Sequence, residues 1–520
     1  MRASLEGLKS KQTKHQLGST KHTTTTLPPN FASSLMNIPV LISLLLLLAS
    51  CFLAWVGVKA WSKFRDPMHP ALWLSMLFFL GMVAEPWQCL NHPNIVEFFP
   101  DYDGLLFAVA IQCAGIFFFF GGMLSANGPR FFGSAGQSVI DVHLTDAQKR
   151  KLLQLAWVLG LIAIAAYWFS IYEGGGFFRA YSRSKGGGRS VSGYQSEAYN
   201  LGIAAVLLYS IGIQGRRIRG EHLLTMLLFA SPLLLPGIFG GFRGPLFLGM
   251  SGCFFAWHLA KGRLPKPRVI VLASAIALLA LVMVQSQRRH VYFGSGKSFD
   301  IDRFWQALHK EEINAGDNFV VSSGAVLAHH RTEQFHYGRR FIITFFIRPI
   351  PRQIWPTQYD DMAELLYGEG YTYGGMLELY SEQMWINSLG WKPLSGYAVN
   401  SIVDLYGEFS WGFVGACWLL GWGLGRLWAN FRQRGGLWLV FYVMAMVLSV
   451  YLPTQSFSAF VHRLLYVSVM TYVLARMVIG YQLFQKRRQY RGRYPTHPGD
   501  TNNPSQPLHR RTETPARQFR

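Results

Sequence analysis

Along this chain, apolar runs close to 20 residues long alternate with short polar connections, and runs of that length match the thickness of a bilayer core. They fall at roughly 39–58, 70–90, 104–124, 152–172, 198–215, 222–240, 244–260, 268–285, 409–428, 436–453 and 459–482. Eleven membrane-spanning helices are therefore predicted, in an all-α polytopic membrane protein. The pattern breaks once, between 286 and 408, where the chain is hydrophilic and holds 14 of its 27 acidic residues. Both ends are polar, rich in Thr, Pro, Arg and Gln, and unsuited to a packed core. The predicted organisation is a polar tail (1–38), eight spans (39–285), one large loop (286–408), three spans (409–482) and a basic tail (483–520).

Charge adds an orientation to this pattern. If the loop with Lys59, Lys63 and Arg65 is cytoplasmic, alternation puts Arg216, Arg217, Arg219, Lys261, Arg263, Lys266 and Arg268 on the same side. Arg426, Arg432, Arg434 and the tail from Lys486 follow, as the positive-inside rule requires. The 286–408 loop then lies outside. Residues 1–38 carry Arg2, Lys9, Lys11, Lys14 and Lys21, which resist export; a start at Met36 or a signal-like first run would resolve this. The net charge of +22 is accounted for by membrane orientation, without a nucleic-acid partner. All five cysteines fall in predicted spans, so neither a disulfide framework nor a cysteine metal site is expected.

Against this background some outer-side cations need a reason. The predicted outer loop 173–197 carries Arg179, Arg183, Lys185 and Arg189 along with two glycine triplets, Gly174–Gly176 and Gly186–Gly188, whose bare backbone lets N–H groups approach an anion. It lacks the ending of a Walker loop, and contact with acidic lipid is the competing reading. In FGGFRGPLF, Arg243 sits between two spans at a helix start, where free N–H groups and the helix dipole also favour an anion. Arg288 and Arg289 stand where the chain leaves the eighth span, and His462 and Arg463 near the outer end of the last.

The stretch Arg339–Pro356, RRFIITFFIRPIPRQIWP, interleaves Arg348 and Arg352 with three prolines. It predicts a stiff, non-helical strip presenting guanidinium groups, whose planar forks pair with phosphate oxygens. The alternative is a connector resting on lipid headgroups. Carboxylates able to act as a base are sought in the long loop, with Asp404, Glu408 and Glu378 as candidates. Asp404 and Glu408 are four apart and share a face if helical. The loop histidines, including the adjacent His329 and His330, lack metal-site spacing, and no metal is expected.

Two segments carry a resemblance. FIRPIPRQIWP resembles the Pro-Arg-x-x-Trp-Pro signature of bacterial oligosaccharide repeat-unit polymerases (Wzy-type O-antigen polymerases), and DLYGEFSWGFVGACWLLGWGLG resembles their acidic-Leu-Tyr segment entering a glycine-spaced helix. The chain departs from that pattern in having Thr357-Gln358-Tyr359 where Lys-Pro is common, and Ser410 where glycine is usual. The resemblance implies a GT-C-like fold in a bacterial inner membrane. It also implies an inverting, metal-independent and cofactor-free glycosyltransferase that uses undecaprenyl-diphosphate-linked oligosaccharide as donor and acceptor, beside chain-length regulator and flippase proteins. Arg179, Arg183, Arg189, Arg243, Arg288, Arg289, Arg348, Arg352 and Arg463 would surround the diphosphate. An O-antigen ligase, a transporter of lipid-linked glycans and a structural membrane protein remain open beside it.

Overall fold

A computed structural model describes residues 38–66, 68–126, 144–182, 195–262, 267–287, 292, 300–309, 313–350, 354–368, 382–394, 398–435 and 437–479. Among these residues every regular element is helical. Seven helices are long and apolar enough to cross a membrane: α1 (Ile38–Phe64), α2 (Pro70–Leu90), α3 (Tyr102–Ser125), α4 (Asp146–Glu173), α6 (Gly220–Gly240), α13 (Leu437–Thr454) and α14 (Phe457–Met477). The protein is therefore membrane-embedded.

The other four apolar runs also fold as helices: α5 (Leu201–Gly212), α7 (Arg243–Ala260), α8 (Pro267–Gln287) and α12 (Phe413–Arg434). Two of them, α5 and α12, fall outside the seven for identifiable reasons. α5 has only twelve residues, and all of them are buried, so it is a core helix walled off by its neighbours rather than a lipid-facing one. α12 is diluted by glycine and charge, and its glycines have a packing role. A Cβ on Gly421 would lie 1.8 Å from the Phe119 carbonyl oxygen, and one on Gly122 of α3 would lie 2.0 Å from that of Trp418. Small residues thus bring the two backbones together, as van der Waals packing between membrane helices favours.

The hydrophilic interval does not hang free of the bundle. Its helix α9 (Asn318–Thr332) is buried at every residue from Phe319 to His329. The run FVVSSGAVLA is apolar or small on all faces, which suits a helix enclosed on all sides. Gln112, ten residues into α3 and so about 15 Å along it, donates to Ser323 Oγ (3.2 Å). Asn400 donates to Gln112 Oε1 (2.8 Å), and its backbone N–H donates to Ser322 (3.1 Å). Asn400 also caps α11 (Ser401–Phe409), accepting from the Val403 N–H (3.1 Å). The interval's helices therefore pack into the end of the bundle.

The Arg339–Pro356 stretch is only in part the non-helical strip its prolines suggested: Arg348–Ile350 and Ile354–Pro356 are turn and irregular chain, but the first half is helical. Arg339–Ile342 is α-helical and continues as a π-helix over Ile343–Ile347; the pair is α10. Pro349 lacks the N–H that would carry the helix onward, and the helix stops at Ile347, before Arg348 and Pro349.

Candidate functional site

Two buried ionic networks meet near one end of the bundle. The first is centred on Arg340, in the second position of α10. Its Nη2 donates to Asp404 Oδ1 and its Nε to Glu408 Oε1. The i,i+4 spacing does place both carboxylates on one face of α11, but that face is filled by a guanidinium. The remaining oxygens are engaged as well: Asp404 Oδ2 accepts from the Ser458 N–H (3.1 Å) and Glu408 Oε2 from the Gly338 N–H (3.0 Å). Burial alone would make Arg340 easier to deprotonate, but the two carboxylates outweigh it and raise its pKa. Both carboxyl side chains are at 0% exposure. In this arrangement all four carboxylate oxygens of Asp404 and Glu408 are engaged within the protein.

The second network is centred on Glu197, at the chain's entry to α5. Its Oε1 lies 3.2 Å from Arg348 Nη2 and 2.8 Å from His462 Nε2, and its Oε2 lies 3.6 Å from Arg463 Nε. The His462 approach is close but off the line of a hydrogen bond. Asn200 donates to Oε2 (2.9 Å) from within the same short segment. Burial would raise the Glu197 pKa; Arg463, His462 and Arg348 together overcome it and hold the carboxyl at about 2. His462 Nδ1 lies 2.7 Å from the Ser458 carbonyl oxygen, and Arg463 Nη1 donates to that of Ala459 (2.7 Å). Tyr451 carries the Arg463 guanidinium over its ring at 4.6 Å and abuts Gly244, where a Cβ would meet its hydroxyl at 2.6 Å.

The networks share two helices. α10 begins with Arg340 in the first and ends next to Arg348 in the second. α14 begins with Ser458 bound to Asp404 and presents His462 and Arg463 one turn on, to Glu197. The buried Arg340 pairs thus position the two arms that carry the more exposed cations.

Of the cations singled out in the sequence, Arg348 and Arg463 meet at Glu197. Arg243, exposed at the start of α7, adjoins them through Gly244 and Tyr451, and Glu85 and Asp317 act on its charge. Arg179 is exposed and folds over Gly175, whose φ of 85° favours glycine. No contact among the described residues joins it to Glu197. Arg183, Arg189, Arg288, Arg289, Arg352 and Glu378 lie outside the described residues. Among the described residues no group of His, Cys, Asp and Glu could hold a metal ion.

Glu197, Arg340 and Tyr451 were not singled out by sequence. Arg340 was signalled indirectly: two carboxylates bound for burial on one helix need a cation from elsewhere. Comparison with family models, curated proteins and solved structures finds no match to this chain.

Proposed function

We propose that this protein is a membrane glycosyltransferase that elongates a surface polysaccharide from lipid-diphosphate-linked oligosaccharide units. In this reading all eleven apolar helices cross a bacterial inner membrane in a GT-C-like arrangement, with the 286–408 interval on the outer side and the C-terminus in the cytoplasm. The observation that carries the reading is the meeting of Arg348, His462 and Arg463, from two distant parts of the chain, with Arg243 adjoining. Two guanidiniums set against one carboxylate leave a positive excess beside the membrane, where a lipid diphosphate would present its negative charge.

In this reading the reaction is a glycosyl transfer. An acceptor hydroxyl attacks the anomeric carbon of the donor sugar, the bond to the diphosphate breaks, and the lipid diphosphate leaves with the bonding pair while the hydroxyl proton is released. The cations act on the charge growing on the leaving group; such preorganised donors are each worth roughly 2.7–4 kcal/mol in other enzymes. A second reading, a transporter of lipid-linked glycans, needs the same cationic site and no base. The engagement of Asp404 and Glu408 by Arg340 favours it.

Lipid-glycan profiling of a deletion strain separates these readings. Loss of the polymerase leaves single repeat units on the final acceptor. Loss of a transporter or ligase leaves none, and that result would overturn the polymerase reading.

A further inference from the structure

The transfer reaction does not itself call for a carboxylate among the groups that would grip an anion, yet Glu197 stands at their centre. We propose that Glu197 is a positioning residue for the diphosphate site: a fixed counter-ion that gathers Arg348, His462 and Arg463 and leaves the remaining donors of the two arginines free for phosphate oxygens. The proposal rests on the diphosphate reading and assigns the site its internal support.

Depth is the first argument. The Glu197 side chain is 6% exposed, against 34% for Arg348 and 21% for Arg463, so the carboxylate lies beneath the guanidiniums rather than across their open side. Anchorage is the second. Asn200 holds Oε2 at 2.9 Å, and both residues lead directly into α5, which is buried throughout. A carboxylate tied to the most enclosed helix of the bundle is poorly suited to swing away when ligand arrives.

Donor supply is the third argument. An arginine has five N–H donors in a planar fork. Arg348 gives Glu197 one terminal nitrogen, Nη2, and its Nη1 and Nε bond none of the described residues. Arg463 spends Nη1 on the Ala459 carbonyl and rests on Tyr451, and its Nε approaches Glu197 at 3.6 Å. A carboxylate that merely occupied the ligand's place would take up these donors; Glu197 takes few of them. Removing its charge would leave the cations mutually repelling, and each would lose its register before any ligand bound.

The test uses the purified full-length protein in lipid nanodiscs, with inorganic pyrophosphate as probe and binding read by calorimetry. Glu197→Gln, nearly the same size and uncharged, is expected to weaken pyrophosphate binding at least tenfold. Glu197→Asp, which keeps the charge one methylene further back, should recover part of that loss. Binding in Glu197→Gln equal to or tighter than wild type overturns the proposal, because a competing placeholder gives that sign. Should Glu197→Gln fail to fold, the decision passes to Glu197→Asp alone, where unchanged affinity is the overturning result. Arg348→Gln separates the two levels. If wild type binds pyrophosphate and Arg348→Gln does not weaken it, the diphosphate reading and this proposal fall together. If Arg348→Gln weakens it and the Glu197 variants do not, only the role of Glu197 falls.

Discussion

Arg340→Ala is the sharpest test of the arrangement at Asp404 and Glu408. The change strands two carboxylates that are fully buried, along with the helix they ride on. Solvent screening, which makes most surface pairs worth little, does not operate there. Each charge-assisted bond contributes about 1.5–3 kcal/mol, and two are lost; removing one partner from a buried pair costs about 3–5 kcal/mol in other proteins. A loss of about 3–5 kcal/mol is therefore expected. Because Arg340 links α10, α11 and, through Asp404, the start of α14, the loss should appear as global destabilisation together with failure of the Arg348–Arg463 site. Asp404→Asn should destabilise in the same direction by less, since Glu408 still pairs with Arg340. The assay is thermal unfolding in detergent, followed by the fraction of monodisperse protein, in parallel with polymer formation. Combined replacement of Arg340, Asp404 and Glu408 by apolar residues of similar volume should restore much of the stability. The reasoning is refuted if Arg340→Ala unfolds at the wild-type temperature, or if Asp404→Asn keeps full stability and loses only transfer. The second result would return Asp404 to the role of a base.

Glu197 gives a pH signature. Its carboxyl is held at about 2 against an ordinary 4.5, so its contribution is fully present above 4.5 and is lost as pH falls toward 2. A shift of that size corresponds to about 3 kcal/mol; unfolding followed between pH 5 and 3 should show the slope in wild type and a flatter one in Glu197→Gln. Ser410 follows α11 at φ 51° and ψ −134°, a conformation that favours glycine, so Ser410→Gly should raise stability by about 1 kcal/mol or more, with activity unchanged. Reporter fusions after residues 330 and 485 should give opposite sidedness; the same side for both would overturn the proposed orientation.

Much of the fold was legible because bilayer thickness sets a length that apolar runs reveal directly. All eleven runs became helices, and two glycines of DLYGEFSWGFVGACWLLGWGLG, Gly421 and Gly425, are where α12 meets α3. Ser410 stands in a backbone conformation that favours glycine. Other features were hidden. α9 lies in a stretch that is polar on average, and averaging over a long interval conceals one enclosed helix. Proline spacing pointed to an irregular strip, yet proline does not reach back to Arg339–Ile347.

By itself the sequence determined that this is a helical membrane protein, where its eleven apolar helices lie, and that its cations concentrate in a few places. These follow from local composition and period, which each segment carries alone. Tertiary structure decided which charges meet. Asp404 and Glu408 look like a free pair on a helix face, and only the arrival of Arg340 from 64 residues away closes it. Glu197 is an ordinary loop carboxylate until folding brings Arg348 from 151 residues away to its Oε1. Charge pairing acts across space and carries no period along the chain, so the pattern of residues names the candidates and the packing of helices chooses among them.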